Sequence, residues 1–341
     1  MGIQKLISKA QQAAPQILRA VLAAVVLFPG TTFGYQRMND EVICENGRGG
    51  QITRLAQGLV HNASYTLDKD GNANLKRVPR VKWLTALAPI RTNQPILLNG
   101  KSGVANGNAV FVSPCHVLTN HHMVFGDETL PGNDKTPEMK KRLKSKFSIT
   151  LTSVGEDGKM SKPLVGRPVE WGDKYEDGQT AEDWALLELN ECHGEKVGWV
   201  DIKESIDETI KGKKLAAPWY EDGVAAEKLL FHFPCEIDAI SRTQKSFGTT
   251  CSSKSGASGR GTFAQEENER PKLVGLHVGS YRQEDEITRY EDGGVNTGVS
   301  SNSFYSKIYS TIEASKAKFL AKLRKSGKQV SDDFNPAFDG Q

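Results

Sequence analysis

From residue 83 onward the chain alternates short apolar runs with polar punctuation. The runs at 83–88, 109–113, 147–152, 184–189, 229–233 and 273–278 are of strand length, most of them bounded by Gly, Asn, Asp or Pro. No apolar set at helical spacing separates them, which argues against alternating β-α units and for an antiparallel sandwich or barrel. The exception lies near the C-terminal end. There Phe304, Ile308, Ile312, Phe319, Leu320 and Leu323 recur at helical spacing among lysines and serines, predicting one amphipathic helix packed on the body. Beyond residue 325 the chain turns polar, with little apolar area to offset its ordering entropy, so residues 326–341 read as a disordered tail.

The other end has a different pattern. Lys5, Lys9 and Arg19 lead into the apolar run 20–28, followed by Pro29, Gly30 and small residues. This is the layout of a secretory signal over residues 1–34, with Thr32-Phe33-Gly34 placing cleavage before Tyr35. An uncleaved amphipathic N-terminal helix is the alternative. The run is too short for a membrane span, so no stable span is expected once the signal is removed. Residues 35–80 are polar and irregular and end in the basic stretch Lys76-Arg77-Val78-Pro79-Arg80, as a propeptide or N-terminal extension would. Within them Asp68-Lys69-Asp70-Gly71-Asn72 superficially suggests a calcium loop, but the glycine is misplaced and the bidentate glutamate is missing. A hairpin turn fits better.

Composition narrows the classes. A chain of 341 residues with 38% hydrophobic residues has ample material for a buried core. Lys plus Arg number 44 against 41 Asp plus Glu, and they are scattered, so no basic stripe points to nucleic acid. The cysteines Cys44, Cys115, Cys192, Cys235 and Cys251 show no Cys-x-x-Cys spacing and no His-rich neighbourhood, which excludes the usual zinc arrangements. In an oxidising compartment they read as disulfides, Cys235 with Cys251 and Cys115 with Cys192, leaving Cys44 over. Buried free thiols are the alternative.

Three segments carry chemistry. In Val117-Leu118-Thr119-Asn120-His121-His122 an apolar run ends in two imidazoles. In Glu182-Asp183-Trp184-Ala185-Leu186 a carboxylate stands at the mouth of an apolar strand. In Ser255-Gly256-Ala257-Ser258-Gly259-Arg260-Gly261 glycines bracket a serine and permit the tight turn that aims the Gly256 and Ser258 N–H groups at one point. Each string alone is common. Together they supply what acyl transfer near neutral pH requires: a hydroxyl, an imidazole to take its proton, a carboxylate to hold the imidazole, and backbone donors for the oxyanion. The reaction needs no metal and no organic cofactor.

The order His, Asp, Ser and the local strings resemble the trypsin-like serine protease family, over roughly residues 81–315. The resemblance implies an all-β fold of two antiparallel six-stranded β-barrels of the chymotrypsin type, at about 81–190 and 196–303, followed by a C-terminal α-helix, within a domain of 81–325. It makes His122, third after Thr119, the general base, with His121 a neighbour, Asp183 the orienting acid, Ser258 the nucleophile, and Gly256 with Ser258 the oxyanion donors. Ala257 stands where the trypsin branch has an aspartate that pairs with a new N-terminus, so that activation switch cannot operate. This departure, with Thr119-Asn120 in place of two alanines, resembles the bacterial glutamyl endopeptidase and heat-shock protease branches. Arg260-Gly261 replaces the usual Gly-Pro.

The segment Val274-Gly275-Leu276-His277-Val278-Gly279-Ser280 resembles the strand that walls the primary specificity pocket, and His277 with Ser253, Ser255 and Ser280 matches the places that bind a substrate glutamate. A histidine and hydroxyls can complete the shell of a carboxylate without a full buried positive charge. The alternative is a hydrogen-bonded core histidine, with Lys254 attracting acidic side chains instead. The expectation is thus a monomeric, secreted or periplasmic serine endopeptidase acting on protein or peptide substrates, with Glu or Asp preferred before the scissile bond. A catalytically inactive relative that only binds is the other functional class.

Overall fold

The computed structural model describes residues 82–98, 101–126, 136–155, 160–172, 180–220, 229–251, 256–264, 269–281 and 295–339. The signal, the 35–80 extension, the 68–72 turn, Cys44, Ser253, Lys254 and Ser255 lie outside the described residues, as does the side chain of Ser280.

Five of the six apolar runs contribute strands; the run at 83–88 is instead mostly a 3-10 turn over Lys82–Ala86 that leads into the first strand. In the first half, β1 (Leu87–Thr92), β4 (Asn106–Ser113), β5 (His116–Thr119), β6 (Ile149–Leu151), β7 (Leu164–Trp171) and β8 (Ala185–Leu189) close a barrel in the order β1-β4-β5-β8-β7-β6, each neighbour antiparallel. Seven of the eight residues of β4 are buried, because one face lines the barrel and the other is covered by neighbouring elements; such a strand reads as a continuous apolar run. A short hairpin, β2 (Ile96–Leu98) with β3 (Lys101–Gly103), leaves the barrel between β1 and β4.

The second half repeats the plan with a difference. Its strands are β10 (Leu215–Tyr220), β11 (Leu229–Cys235), β12 (Ile237–Ile240), β13 (Ser246–Thr249), β14 (Gly261–Ala264), β15 (Lys272–Tyr281) and β16 (Val295–Ser300), hydrogen-bonded in the order β11-β10-β14-β15-β16-β13-β12. The path begins and ends on the two halves of one bent strand, with only Glu236 between β11 and β12. The ring of the second unit is therefore completed through this bent strand and not by a last pair of hydrogen-bonded neighbours. A short β9 (Asp201–Ile202) adds to β15 in parallel. Counting β11 and β12 as one strand, both halves have the same Greek-key order, which is the chymotrypsin-type architecture.

Helices behave less uniformly. The amphipathic pattern becomes α4 (Ser301–Lys325), with Phe304, Ile308, Ile312, Phe319 and Leu320 buried. A second helix, α2 (Pro137–Lys146), was not foreseen: Thr136 caps it by accepting from the Met139 N–H, Pro137 suits its first turn, and Leu143 is its only buried residue. Short turns α1 (His122–Phe125) and α3 (Gly194–Val197) follow β5 and β8. Cys115–Cys192 and Cys235–Cys251 are both disulfides.

The expected disordered tail is corrected. After α4 the chain folds back, and Asn335, 1% exposed, clamps the backbone of Trp199: its Nδ2 donates to Trp199 O (2.9 Å) and its Oδ1 accepts from Trp199 N (3.2 Å). Arg270 holds the same segment through Asp339 (2.7 Å). Gly198, with φ of 78°, leaves room for Ala337, whose N would lie 2.1 Å from any Cβ at that position. Apolar contacts add to these polar anchors, because Ala337 enters the core and Phe334 packs on Phe319 of α4.

Candidate active site

The imidazole and the carboxylate come from adjacent strands. In the register of β5 and β8, Thr119 faces Ala185, so the residues following one strand and preceding the other emerge side by side. Asp183, wholly buried, sits there after a 3-10 turn over Thr180–Glu182. Its Oδ2 lies 2.6 Å from His122 Nδ1, and its Oδ1 accepts the His122 backbone N–H at 2.9 Å. With the carboxylate as acceptor, Nδ1 is the donor and Nε2 presents its lone pair away from Asp183. The carboxylate takes His122 and not His121, whose buried ring packs on Phe125 with centroids 4.7 Å apart. Trp184, next to Asp183, packs against Phe304 of α4, with 6.0 Å between centroids, anchoring this strand end to the helix.

The serine comes from the other half of the molecule. Ser258 is half-buried in a turn whose glycines, Gly256 (φ 86°) and Gly259 (φ 76°), occupy the left-handed region. Arg260 N donates to Ala257 O at 3.0 Å and closes the turn. At Gly259 a Cβ would fall 2.0 Å from Asn108 O and 2.5 Å from Thr119 Oγ1, so the Ser258 turn is pressed onto β4 and β5 with no room for a side chain.

Two asparagines fasten the halves together. Asn120 Nδ2 donates to Asp183 O (2.9 Å) while its Oδ1 accepts from Gly259 N, so one buried side chain links the carboxylate segment to the residue after Ser258. Asn108 donates its backbone N–H to Ser258 O (2.8 Å) and its Nδ2 to Gly256 O (2.8 Å), and it accepts from Tyr220 N (2.7 Å) through Oδ1. Sequence reasoning assigned neither a role. Their only signal was polarity within apolar strings, and that does not say what a side chain will meet.

His277 lies on β15 beside this turn: its N–H donates to Arg260 O (2.8 Å) and its carbonyl accepts from Gly259 N (3.1 Å). Burial first, then the charges of Arg260 and His122, hold its imidazole well below the usual histidine pKa. Arg260 is completely buried, stacked over the Trp219 ring with 4.8 Å between the guanidinium carbon and the ring centroid. Burial pushes its pKa down to about 9. Among the described residues no cluster of three or more His, Cys, Asp or Glu is arranged to hold a metal ion.

No protein-family model and no curated protein matches the chain. Solved structures do. One described as a Glu endopeptidase in complex with MPD aligns at 14% identity and TM-score 0.43, covering 75% of this chain and 99% of its own. A scabies mite inactivated protease paralogue aligns at 16% identity and TM-score 0.43, covering 69% and 96%. A protease of M. tuberculosis in its active form aligns at 13% identity and TM-score 0.41, covering 67% and 81%.

Proposed function

We propose that this protein is an exported serine endopeptidase that works through an acyl-enzyme, with Ser258 as nucleophile, His122 as general base and Asp183 orienting it. The observation that supports it most is the buried His122–Asp183 pair at 2.6 Å, reinforced by a second carboxylate bond to the His122 N–H. A surface histidine gains nothing from such a fixed tautomer; a base does.

In this reading Ser258 Oγ attacks the peptide carbonyl as its proton passes to His122 Nε2. The same proton then goes to the leaving amine, and water repeats the sequence on the acyl group. The Gly256 and Ser258 N–H groups stabilise the oxyanion, each worth about 3 kcal/mol in comparable sites. An acidic residue before the scissile bond is preferred, received by His277 together with Ser253, Ser255 and Ser280. Export is supported by the two disulfides, which need an oxidising compartment. Among the described residues no helix is long and apolar enough to cross a membrane.

A fluorophosphonate probe tests the core of this reading. Ser258 should be labelled in the mature wild-type protein, and Ser258→Ala should lose labelling and about 10⁶-fold in turnover. A folded wild type that is neither labelled nor proteolytic would make the protein a binder instead. Peptide-library profiling tests the pocket: cleavage after lysine, arginine or large apolar residues removes the acidic preference.

A further inference from the structure

Two backbone donors serve an oxyanion only if both face one point, and a turn built on glycine does not ensure this by itself. Between the Gly256 and Ser258 N–H groups lie two peptide planes, Gly256–Ala257 and Ala257–Ser258. Gly256 stands at φ 86°, a region that glycine enters and leaves at no steric cost. Ala257 has no polar side chain with which to hold the turn, and it packs against Trp219. The second plane is held by main chain: Ala257 O accepts from Arg260 N at 3.0 Å. A trans peptide sets N–H opposite C=O, so this bond also fixes where the Ser258 N–H points. The first plane is held by a side chain, because Asn108 Nδ2 donates to Gly256 O at 2.8 Å.

That side chain has no freedom to turn. Asn108 is 3% exposed; its Oδ1 accepts from Tyr220 N (2.7 Å), and its Nδ2 also donates to Tyr220 O (3.3 Å) at the end of β10. Tyr220 N can only donate and Gly256 O can only accept, so the amide has a single orientation. The main chain of Asn108 is tied as well: its N–H donates to Ser258 O (2.8 Å) and its carbonyl accepts from Thr119 Oγ1 (2.7 Å). One fixed residue of β4 thus grips the turn on both sides of Ala257.

We propose that Asn108 is the positioning residue of the oxyanion site, its amide fixing the Gly256–Ala257 peptide so that the two donors converge before substrate arrives. It touches neither substrate nor the reacting atoms. This rests on Ser258 being the nucleophile and deepens that reading. With Asn108 shortened, Gly256 O loses a buried partner and its peptide rotates to find another. The cost falls on the transition state, where the oxyanion forms, and not on substrate binding.

The test measures kcat and KM on the peptide that library profiling selects, and inhibition by the aldehyde of the same peptide, in the wild type, Asn108→Ala and Asn108→Leu. Ser258 Oγ adds to the aldehyde carbon, its proton passes to His122, and the former carbonyl oxygen takes the charge, so the adduct reads oxyanion binding directly. Asn108→Ala should lose on the order of 100-fold in kcat with KM within about threefold, and the aldehyde should weaken by a similar factor. The acid limb of its pH profile should coincide with that of the wild type, since the base is untouched. If Asn108→Ala does not fold, as near-ultraviolet circular dichroism would show, Asn108→Leu keeps the branched shape and carries the same comparison. A folded variant with kcat within about threefold of the wild type overturns the proposal, as does a loss carried by KM or one that leaves aldehyde affinity unchanged. A wild type not labelled at Ser258 by the fluorophosphonate overturns the protease reading itself; a labelled wild type with indifferent variants overturns the positioning role alone.

Discussion

The two halves of the molecule share one strand order and divide the labour differently. In the first, β4 is continuous and buried along its length, and the ring closes through hydrogen bonds. The imidazole and carboxylate that emerge from it come from adjacent strands in fixed register, Thr119 opposite Ala185. In the second, the corresponding strand is broken at Glu236, and what it presents is a turn with two left-handed glycines and a buried cation. A proton-transfer pair needs a rigid separation, which paired strand ends provide. A nucleophile with its oxyanion donors needs an unusual backbone path, which regular pairing forbids.

The sharpest way to break this comparison is to spoil the rigid half while keeping its shape. Asp183→Asn preserves packing and removes the charge and acceptor pattern that orient His122, so kcat should drop by about 10⁴-fold. Burst kinetics and labelling rate check it, and a loss below tenfold would mean the 2.6 Å pair does not serve catalysis.

The disulfides sharpen the contrast in stability. Cys115–Cys192 spans 77 residues and Cys235–Cys251 spans 16. Loop-closure entropy then makes their removal cost about 4.5 and about 3 kcal/mol respectively. Denaturant unfolding of the paired alanine variants measures both. The shorter staple lies where β11 bends into β12, so its loss should also reduce Ser258 labelling. The longer one should leave labelling unchanged in the folded fraction.

The smallest effect is a pH dependence seated in the first barrel. Burial lowers the pKa of His116, whose Nδ1 meets Ser113 Oγ at 2.8 Å, from 6.5 to about 4. Between those values the unfolded chain binds more protons than the folded one. Stability is therefore complete above pH 6.5 and is lost as pH falls towards 4, by up to about 3 kcal/mol. His193 and His277 are shifted in the same direction. His116→Gln should flatten that part of the urea-midpoint profile and leave the slope above pH 7 unchanged.

Much of this was legible in the chain, where the signal was local. Strand-length runs gave a mainly β reading, and Phe304, Ile308 and Ile312 at helical spacing marked the buried face of α4. Four of five cysteines paired as read. The rest was illegible because it depends on partners far apart. Asn335 meets Trp199 across 136 positions, so a polar tail looked disordered. Asn108 meets Gly256 across 148, so a polar residue at the start of an apolar strand carried no message. Arg260 registered only as a departure from Gly-Pro.

Short-range order is what this sequence determines by itself: which stretches become strands, where a helix presents an apolar face, and which strings can carry a base, an acid and a hydroxyl. Those follow from periodicity and backbone chemistry over a handful of residues. Tertiary structure alone decided that two asparagines fasten the halves, and that a cation is sealed beneath the turn that carries Ser258. Hydrogen-bond partnership and desolvation depend on what lies within a few ångströms, and only the closed fold brings those neighbours together.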